Sequence, residues 1–215
     1  MTVSAPSSRR PALHGLYLIL DSQASRARPL VEVLKEAASA GARIFQFRDK
    51  TSSPLEMYRQ ATHLREVAAG LGVLFLVNDR CDIALAVDAD GVHLGQEDLP
   101  LNLARSLLGP GKLIGISAHR ADQVTEATRG GADYIGFGPI FQTTSKPDHE
   151  PVVGLTGLRE IRALTPLPVF AIGGVSTGSV EQAVAAGADG VAVISAIMDT
   201  ADIAGTVRAF MAHLP

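Results

Sequence analysis

Eight short runs of apolar residues recur along the chain, and polar, glycine-rich segments follow most of them. Each run is about as long as a strand that is buried on both faces, and the stretches between the runs have the period of a helix. The predicted strands cover residues 16–20, 43–47, 73–77, 91–94, 112–116, 133–137, 168–172 and 190–194. The predicted helices cover residues 30–40, 54–69, 81–87, 101–108, 121–128, 157–164, 179–186 and 203–214.

Eight strand-then-helix units predict a single-domain (β/α)8 barrel, the TIM barrel fold. The chemistry of such barrels lies in the loops that follow the strands. With 215 residues, the chain has room for one compact barrel and little else. We therefore expect a disordered lead-in over residues 1–14 and a catalytic barrel over residues 15–215.

The composition argues against several classes of partner. The formal net charge is −3, so the chain has no general basic surface for nucleic acid. No apolar run approaches the roughly 20 residues that a membrane helix needs. The single cysteine, Cys81, excludes an internal disulfide and fits the reducing cytoplasm. An anionic ligand must therefore be bound by a local cluster.

Small residues mark the turns that lead into the even-numbered predicted strands. Related segments occupy residues 40–45, 88–93, 131–136 and 187–192. Glycine and alanine there allow a helix to turn tightly into a strand. We interpret these turns as stabilising the floor of the barrel, meaning the amino-terminal ends of its strands.

Start signals precede several of the predicted helices. The pair Ser53-Pro54 places a proline in the first turn of one helix. Asp21, Asp79 and Thr156 are candidate caps of others.

The second predicted strand ends in polar residues that suit an anion site. Alternation along a strand sends Gln46, Arg48 and Lys50 to one side and Phe47 to the other. Two cations this close together can bind a polyanion, although a basic pair at a strand end is also typical of a solvated rim.

Asp79 and Asp98 follow the third and fourth predicted strands, so we expect them at neighbouring strand ends. Converging carboxylates beside an anion site favour Mg²⁺, which takes one or two of them and completes its shell with water and phosphate oxygens. Capping is the alternative, because Asp79 can cap the third predicted helix and Asp98 the fourth.

Further polar groups follow the later strands. Ser117 can donate a hydrogen bond to phosphate, and His119 is an acid, a base or an idle cap. The connection at residues 138–155 has no helical period and is a candidate lid, with hydroxyls and an ammonium at residues 143–146. Gly174 follows the seventh strand, where barrels of this kind bind phosphate.

These strand ends predict two anion sites that face each other. A monophosphate site lies at the seventh and eighth strands, and a basic, metal-assisted site lies at the second to fifth strands with the lid. Two phosphorylated ligands with Mg²⁺ on one of them indicate a diphosphate leaving group and a nucleophile that carries a monophosphate.

In these motifs the chain resembles the thiamine phosphate synthase family over residues 16–197. The resemblance implies a transferase that joins 4-amino-2-methyl-5-(diphosphooxymethyl)pyrimidine to 4-methyl-5-(2-phosphooxyethyl)thiazole, giving thiamine phosphate and diphosphate. In this family the C–O bond is thought to break before the thiazole nitrogen attacks, which suits a site of leaving-group stabilisers without a base. The motifs are Gln-Phe-Arg-Asp-Lys at 46–50, Val-Asn-Asp-Arg at 77–80, the segments 90–100 and 136–146, Ala-Ile-Gly-Gly at 171–174 and Val-Ile-Ser-Ala at 193–196.

The resemblance also implies a role for each site residue. Asp79 and Asp98 bind Mg²⁺, and the catalytic stabilisers of the leaving group are Arg48, Lys50, Ser117 and Lys146. The pyrimidine diphosphate is held by Gln46, Phe47, Arg48, Asp49, Lys50, Asn78, Ser117 and Lys146. The thiazole phosphate is held by Thr143, Thr144, Ser145, Gly174, Ile194 and Ser195. The expected partners are these two substrates, with no nucleic acid and no membrane, and a homodimer is left open.

Two other functions stay open from the sequence. The sister family of thiazole tautomerases shares the barrel, lacks synthase activity and uses a histidine, which His119 could supply. Asn78, Asp79 and Asp98 argue against this alternative, because a tautomerase needs no metal for a leaving diphosphate. The other alternative is a non-catalytic binder of phosphorylated ligands.

Overall fold

The computed structural model describes residues 13–24, 28–143 and 150–215, so most of the expected lead-in lies outside the described residues. Eight parallel strands pair in sequence order and close into a barrel, with the first against the last, which confirms the (β/α)8 prediction. The strands are β1 (Gly15–Asp21), β2 (Ile44–Arg48), β3 (Leu74–Asn78), β4 (Gly91–Leu94), β5 (Leu113–Ala118), β6 (Tyr134–Phe137), β7 (Val169–Ile172) and β8 (Gly190–Val193).

Helices follow the strands, and all eight predicted helices are present. The short helix directly after β8 is not among the predicted helices, because four residues are too few to show a period. None of the described helices is both long and apolar enough to cross a membrane. The helices are α1 (Leu30–Ser39), α2 (Pro54–Leu71), α3 (Cys81–Ala86), α4 (Leu101–Leu108), α5 (Ala121–Gly130), α6 (Gly154–Arg162), α7 (Val180–Ala185), α8 (Ser195–Met198) and α9 (Ile203–Met211).

The predicted start signals hold at α2 and fail at α6. Ser53 caps α2, since its side chain accepts the Glu56 N–H while the Glu56 carboxylate accepts the Ser53 N–H. The prediction that Thr156 caps a helix is wrong: α6 begins at Gly154, so Thr156 lies inside its first turn. Cys81 is buried with a free thiol, as expected for a structural cysteine.

Aromatic rings fill the interior of the barrel. Tyr17, Tyr134 and Phe170 pack edge to face, with ring centroids between 5.4 and 5.8 Å apart. The His93 ring joins them, with its centroid 5.4 Å from that of Tyr134. This layer supports the mouth of the barrel, by which we mean the carboxyl-terminal ends of β1–β8 and the loops that follow them.

Three aspartates tie neighbouring strands together at the floor. Asp90, Asp133 and Asp189 precede β4, β6 and β8, and each accepts a backbone N–H from the strand before it at 2.8 Å. Each also forms an ion pair with an arginine of the preceding even-numbered helix. We call these units the floor clamps; their arginines are Arg65, Arg105 and Arg162. They give three of the four turns named above the structural role that the sequence predicts.

Candidate active site at the mouth of the barrel

The basic residues of β2 are held by carboxylates of the neighbouring strands. Arg48 forms an ion pair with Asp21 at the end of β1, and its side chain is only 14% exposed. Lys50 forms an ion pair with Asp79, which follows β3. Arg48 is therefore part of a built cluster at the mouth rather than of a solvated rim. Asp21, which the sequence suggested as a helix cap, instead fixes this guanidinium.

The other two residues of this motif serve the fold with their side chains. Phe47 is fully buried in the apolar core. Asp49 is also buried, and its carboxylate accepts the N–H groups of Thr51 and Ser52, each at 2.9 Å. Burial raises the Asp49 pKa, but the hydrogen bonds from these N–H groups help to lower it by more than burial raises it. The net shift of the pKa is therefore downward. Asp49 shapes the turn between β2 and α2.

Asp79 and Asp98 meet at the ends of β3 and β4, as the sequence predicts. Burial raises the pKa of Asp98, and its carboxyl group lies within hydrogen-bonding reach of Asp79, which raises the pKa further. Asp98 also accepts the Gly95 N–H at 2.6 Å. The capping alternative is wrong for both, because α3 and α4 follow Arg80 and Pro100 without a side-chain cap.

This carboxyl pair has the donor set that Mg²⁺ uses at phosphate sites. Two oxygen ligands from the protein leave the remaining positions for water and phosphate oxygens. Among the described residues there is no cluster of three or more His, Cys, Asp or Glu side chains that would form a complete protein cage. The mutual repulsion that raises the pKa of Asp98 is what a bound divalent cation would relieve.

Ser117 lies at one end of a buried chain of hydrogen bonds. Its hydroxyl is 2.9 Å from Nε2 of His93, and Nδ1 of His93 is 3.0 Å from the Tyr134 hydroxyl. The Tyr134 and Tyr17 hydroxyls are 2.8 Å apart, and Gln46 Nε2 donates to Tyr17 at 2.6 Å. We call these five residues the relay. It connects two predicted substrate ligands, Gln46 and Ser117, across the interior of the barrel.

Sequence reasoning missed the three central residues of the relay. Tyr17, His93 and Tyr134 stand within apolar runs, where a tyrosine or histidine reads as ordinary core. The available signal was the strand alternation that places Gln46 in the interior, since a buried amide needs polar partners.

His119, the histidine that the sequence did single out, lies apart from the relay. Its Nε2 is 3.3 Å from a Glu150 carboxylate oxygen, and its backbone N–H donates to Gln123 Oε1 at 2.9 Å. Both contacts hold it at the start of α5. This geometry favours the idle role over that of an acid or base.

The described part of the predicted lid runs along the end of β7. Ile140 and Phe141 donate their N–H groups to the carbonyls of Ile172 and Gly173, each at 2.9 Å. Gly174 has φ +66°, and a β carbon there would lie 2.3 Å from the Gln142 carbonyl oxygen. The close contact between residue 174 and the Gln142 carbonyl therefore requires glycine at this position, independently of any phosphate.

The remaining predicted phosphate ligands lie at the expected strand ends or outside the described residues. Asn78 ends β3, and Thr143 is the last described lid residue before the gap at residues 144–149. Ile194 follows β8 and Ser195 begins α8, so a short helix starts where a phosphate is predicted. Thr144, Ser145 and Lys146 lie outside the described residues.

Comparisons with known proteins cover nearly the whole barrel. The family model described as thiamine monophosphate synthase matches residues 16–197. The chain is 46% identical to the thiamine-phosphate synthase of Chloroflexus aurantiacus over 193 residues, which cover 90% of this chain and 89% of that one. The corresponding protein of Moorella thermoacetica is 45% identical over 193 residues, covering 90% and 92%. The solved structure of thiamine phosphate pyrophosphorylase from Pyrococcus furiosus is 39% identical with a TM-score of 0.82, covering 91% and 93%.

Proposed function

This chain belongs to the thiamine monophosphate synthase family, and we propose that the mouth of its barrel performs the family's reaction with the residues assigned below. The enzyme condenses the pyrimidine diphosphate with the thiazole phosphate to give thiamine phosphate and diphosphate. The C–O bond breaks with its electron pair on the departing diphosphate oxygen. The lone pair of the thiazole nitrogen forms the new C–N bond.

The proposal rests chiefly on the meeting of fixed cations and paired carboxylates at the ends of β2, β3 and β4. Arg48 and Lys50 supply the cations, and Asp79 and Asp98 supply the carboxylates. Cations alone suit any anion, whereas cations beside two carboxylates suit a polyanion that arrives with a divalent metal. A tautomerase has no leaving diphosphate and needs no such combination.

We assign Arg48, Lys50 and Ser117 to the diphosphate. Negative charge on the diphosphate grows as the C–O bond breaks, so donors fixed in advance stabilise the transition state more than the bound substrate. The ion pair with Asp21 fixes Arg48, and the contact with His93 fixes Ser117. The family resemblance adds Asn78, and also Lys146, which lies outside the described residues.

The pyrimidine ring is assigned to Gln46, whose amide lies in the barrel interior. Phe47 and Asp49 complete the same motif, but their side chains are committed to the core and to the turn after β2. We therefore limit their role toward the substrate to the backbone.

The thiazole phosphate is assigned to the ends of β7 and β8. Barrels of this kind bind phosphate through backbone amides after these two strands, and we assign the amides of Gly174, Ile194 and Ser195 to this role. Thr143 follows the part of the lid that pairs with the end of β7. Thr144 and Ser145 continue the assignment outside the described residues.

Asp79 and Asp98 would hold Mg²⁺, which when bound would neutralise charge on the departing diphosphate. Lys50 shares the Asp79 carboxylate and thus connects the cations to the carboxyl pair.

Diphosphate release, measured with both substrates present and with or without Mg²⁺, tests this function. We expect release only with both substrates and the metal. Arg48→Ala should lower turnover at least about tenfold, whereas the matched control Arg129→Ala, on the exposed surface of α5, should not.

Two outcomes would identify the alternatives. Isomerisation of a thiazole without diphosphate release would indicate a tautomerase, and substrate binding without turnover would indicate a binder.

A homodimer and a cytoplasmic location stay predictions, to be checked by sedimentation velocity and by localising a tagged chain.

A further inference from the structure

We propose that the relay runs in one direction, from the Gln46 amide to the Ser117 hydroxyl, and that this direction selects an amino-bearing pyrimidine over its oxo analogue. The proposal deepens the function given above and rests on it. It makes Tyr17, Tyr134 and His93 positioning residues, which act on the substrate through Gln46 and Ser117.

Each contact of the relay is short enough to be a hydrogen bond. The separations are 2.6 Å from Gln46 to Tyr17, 2.8 Å from Tyr17 to Tyr134, and 3.0 Å from Tyr134 to His93. The last separation, from His93 to Ser117, is 2.9 Å. Tyr17 and Tyr134 are fully buried, so each hydroxyl hydrogen needs an acceptor within the protein.

With a neutral imidazole, only two arrangements give every contact of the relay one donor and one acceptor. In the first, Gln46 donates to Tyr17, Tyr17 to Tyr134, and Tyr134 to Nδ1 of His93, whose Nε2–H donates to Ser117. In the second, every bond is reversed: Ser117 donates to Nε2, Nδ1–H donates to Tyr134, and Tyr17 donates to the Gln46 carbonyl. A mixed arrangement sets two acceptors or two donors against each other at one buried contact, which is costly.

The anionic ligand of the proposed function selects the first arrangement. There the hydrogen of Ser117 is not used within the relay, so the hydroxyl donates to the diphosphate. In the reversed arrangement the Ser117 hydroxyl donates its hydrogen to His93 and has only lone pairs to present to an anion. The structure has the first arrangement at Gln46, where Nε2 is the atom that contacts Tyr17.

Burial keeps the two tyrosines of the relay uncharged. It raises the pKa of both tyrosines well above the ordinary value near 10, so both hydroxyls keep their hydrogens at neutral pH.

Two glycines show that the ring positions are built into the strands. A β carbon at Gly115 would lie 2.0 Å from Cζ of Tyr134, and one at Gly136 would lie 3.1 Å from Cε1 of His93. β5 and β6 therefore carry glycine where the two rings lie against them. Rings seated in this way have little freedom to exchange partners.

The direction of the relay determines what Gln46 offers a ligand. With Nε2 donating to Tyr17, the carbonyl oxygen Oε1 is the amide atom left for the substrate. A carbonyl accepts from an exocyclic amino group, whereas an exocyclic oxygen in the same place would face another acceptor. A site that leaves a buried polar group unpaired discriminates strongly. The relay thus explains selection of the 4-amino group.

The tautomer of His93 tests the direction without any substrate. Nitrogen-15 NMR of the histidine side chains, with the His93 signals assigned by their loss in His93→Gln, distinguishes Nε2–H from Nδ1–H. We expect neutral His93 with its proton on Nε2. A proton on Nδ1 would overturn the proposal, whatever the activity.

Tyr134→Phe tests selectivity by removing one hydroxyl from the centre of the relay. Tyr17 then loses its acceptor and can donate to the Gln46 carbonyl instead, which turns the amide around. The wild type should prefer the 4-amino pyrimidine diphosphate over its 4-oxo analogue at least about a hundredfold in kcat/KM. In Tyr134→Phe this preference should fall about tenfold or more.

The matched controls separate this effect from loss of packing and from failure of the function itself. Tyr58→Phe removes an exposed hydroxyl and Phe170→Leu loosens the same ring layer, and both should keep the wild-type preference. An unchanged preference in Tyr134→Phe, or an equal fall in Phe170→Leu, would refute the relay as the selector. No diphosphate release by the wild type would refute the proposed function instead, and the tautomer result would still decide the direction.

Discussion

Asp21 and Arg48 form an ion pair across the first two strands of the barrel, and the same two residues are partners in the register of β1 and β2. Asp21 is buried and also accepts the Gln23 N–H at 2.8 Å. The guanidinium is thus held by a carboxylate that is itself fixed by its strand and by the turn that follows. Arg48 is therefore oriented before any ligand binds.

Asp21→Asn should therefore lower kcat about tenfold while the barrel stays folded, because the freed guanidinium loses its orientation toward the diphosphate. Steady-state kinetics and circular dichroism would check this. The matched control is Asp122→Asn, which breaks an exposed arginine–aspartate pair on α5 and should change neither quantity. An equal effect of both substitutions would contradict the positioning role.

Asp79→Asn and Asp98→Asn should each lower turnover at least about tenfold and leave the fold intact, because charge on the departing diphosphate would be poorly neutralised. Both residues lie in loops at the mouth, away from the packed interior. Turnover across a Mg²⁺ titration is the measurement. Near-normal turnover of either variant in saturating Mg²⁺ would refute the metal assignment.

The sequence predicts the barrel well because each buried strand must be apolar on both faces and each helix must show its own period. It also places Arg48, Asp79, Asp98 and Ser117 at the mouth, since topology fixes where strands end. The pairings between these residues are another matter. That Asp21 holds Arg48 depends on the register of two strands, and the sequence carries no direct mark of it.

Roles within the barrel were harder to predict for a related reason. His93 and Tyr134 look like core residues because they are core residues, and their chemistry comes from partners on other strands. The sequence predicts Gly174 as a phosphate-site residue from its place after β7, and the structure adds a separate reason for glycine there. The methyl group of an alanine would lie 2.3 Å from the Gln142 carbonyl oxygen.

Gly174→Ala should destabilise the protein by about 1–3 kcal/mol and raise KM for the thiazole phosphate more than KM for the pyrimidine diphosphate. The loop that it displaces leads directly to Thr143, which we assign to the thiazole phosphate. Gly72→Ala is the matched control: Gly72 has φ +65° at the end of α2, but no atom lies within 4 Å of a β carbon there. Backbone strain from a positive φ alone would lower the stability of both variants equally. KM should change only in Gly174→Ala.

The stability of the protein should depend on pH through Asp49, because the turn after β2 needs this carboxylate in its ionised form. The Asp49 pKa is lowered from 3.8, so its charge stabilises the fold fully above that value and less as pH falls through the lowered pKa. Asp49→Asn should thus have a lower free energy of unfolding than the wild type at neutral pH. This difference in free energy should become smaller below about pH 4. Urea denaturation across this range is the measurement. A difference in free energy of unfolding that stays constant with pH would show that ionisation of Asp49 does not stabilise the fold.

The floor clamps imply an order of opening for the barrel. They join β3 to β4, β5 to β6 and β7 to β8 with side chains as well as the strand ladder. Between β1 and β2 the corresponding position holds Arg43, whose guanidinium donates to the carbonyls of Ala38 and Ala42 instead. Of the four pairs in which an odd-numbered strand precedes an even-numbered one, β1–β2 is thus the pair without a clamp. Under mild denaturant, amide protons at the floor ends of β1 and β2 should exchange before those of the three clamped pairs, so this opening lies beneath the strand that carries Arg48.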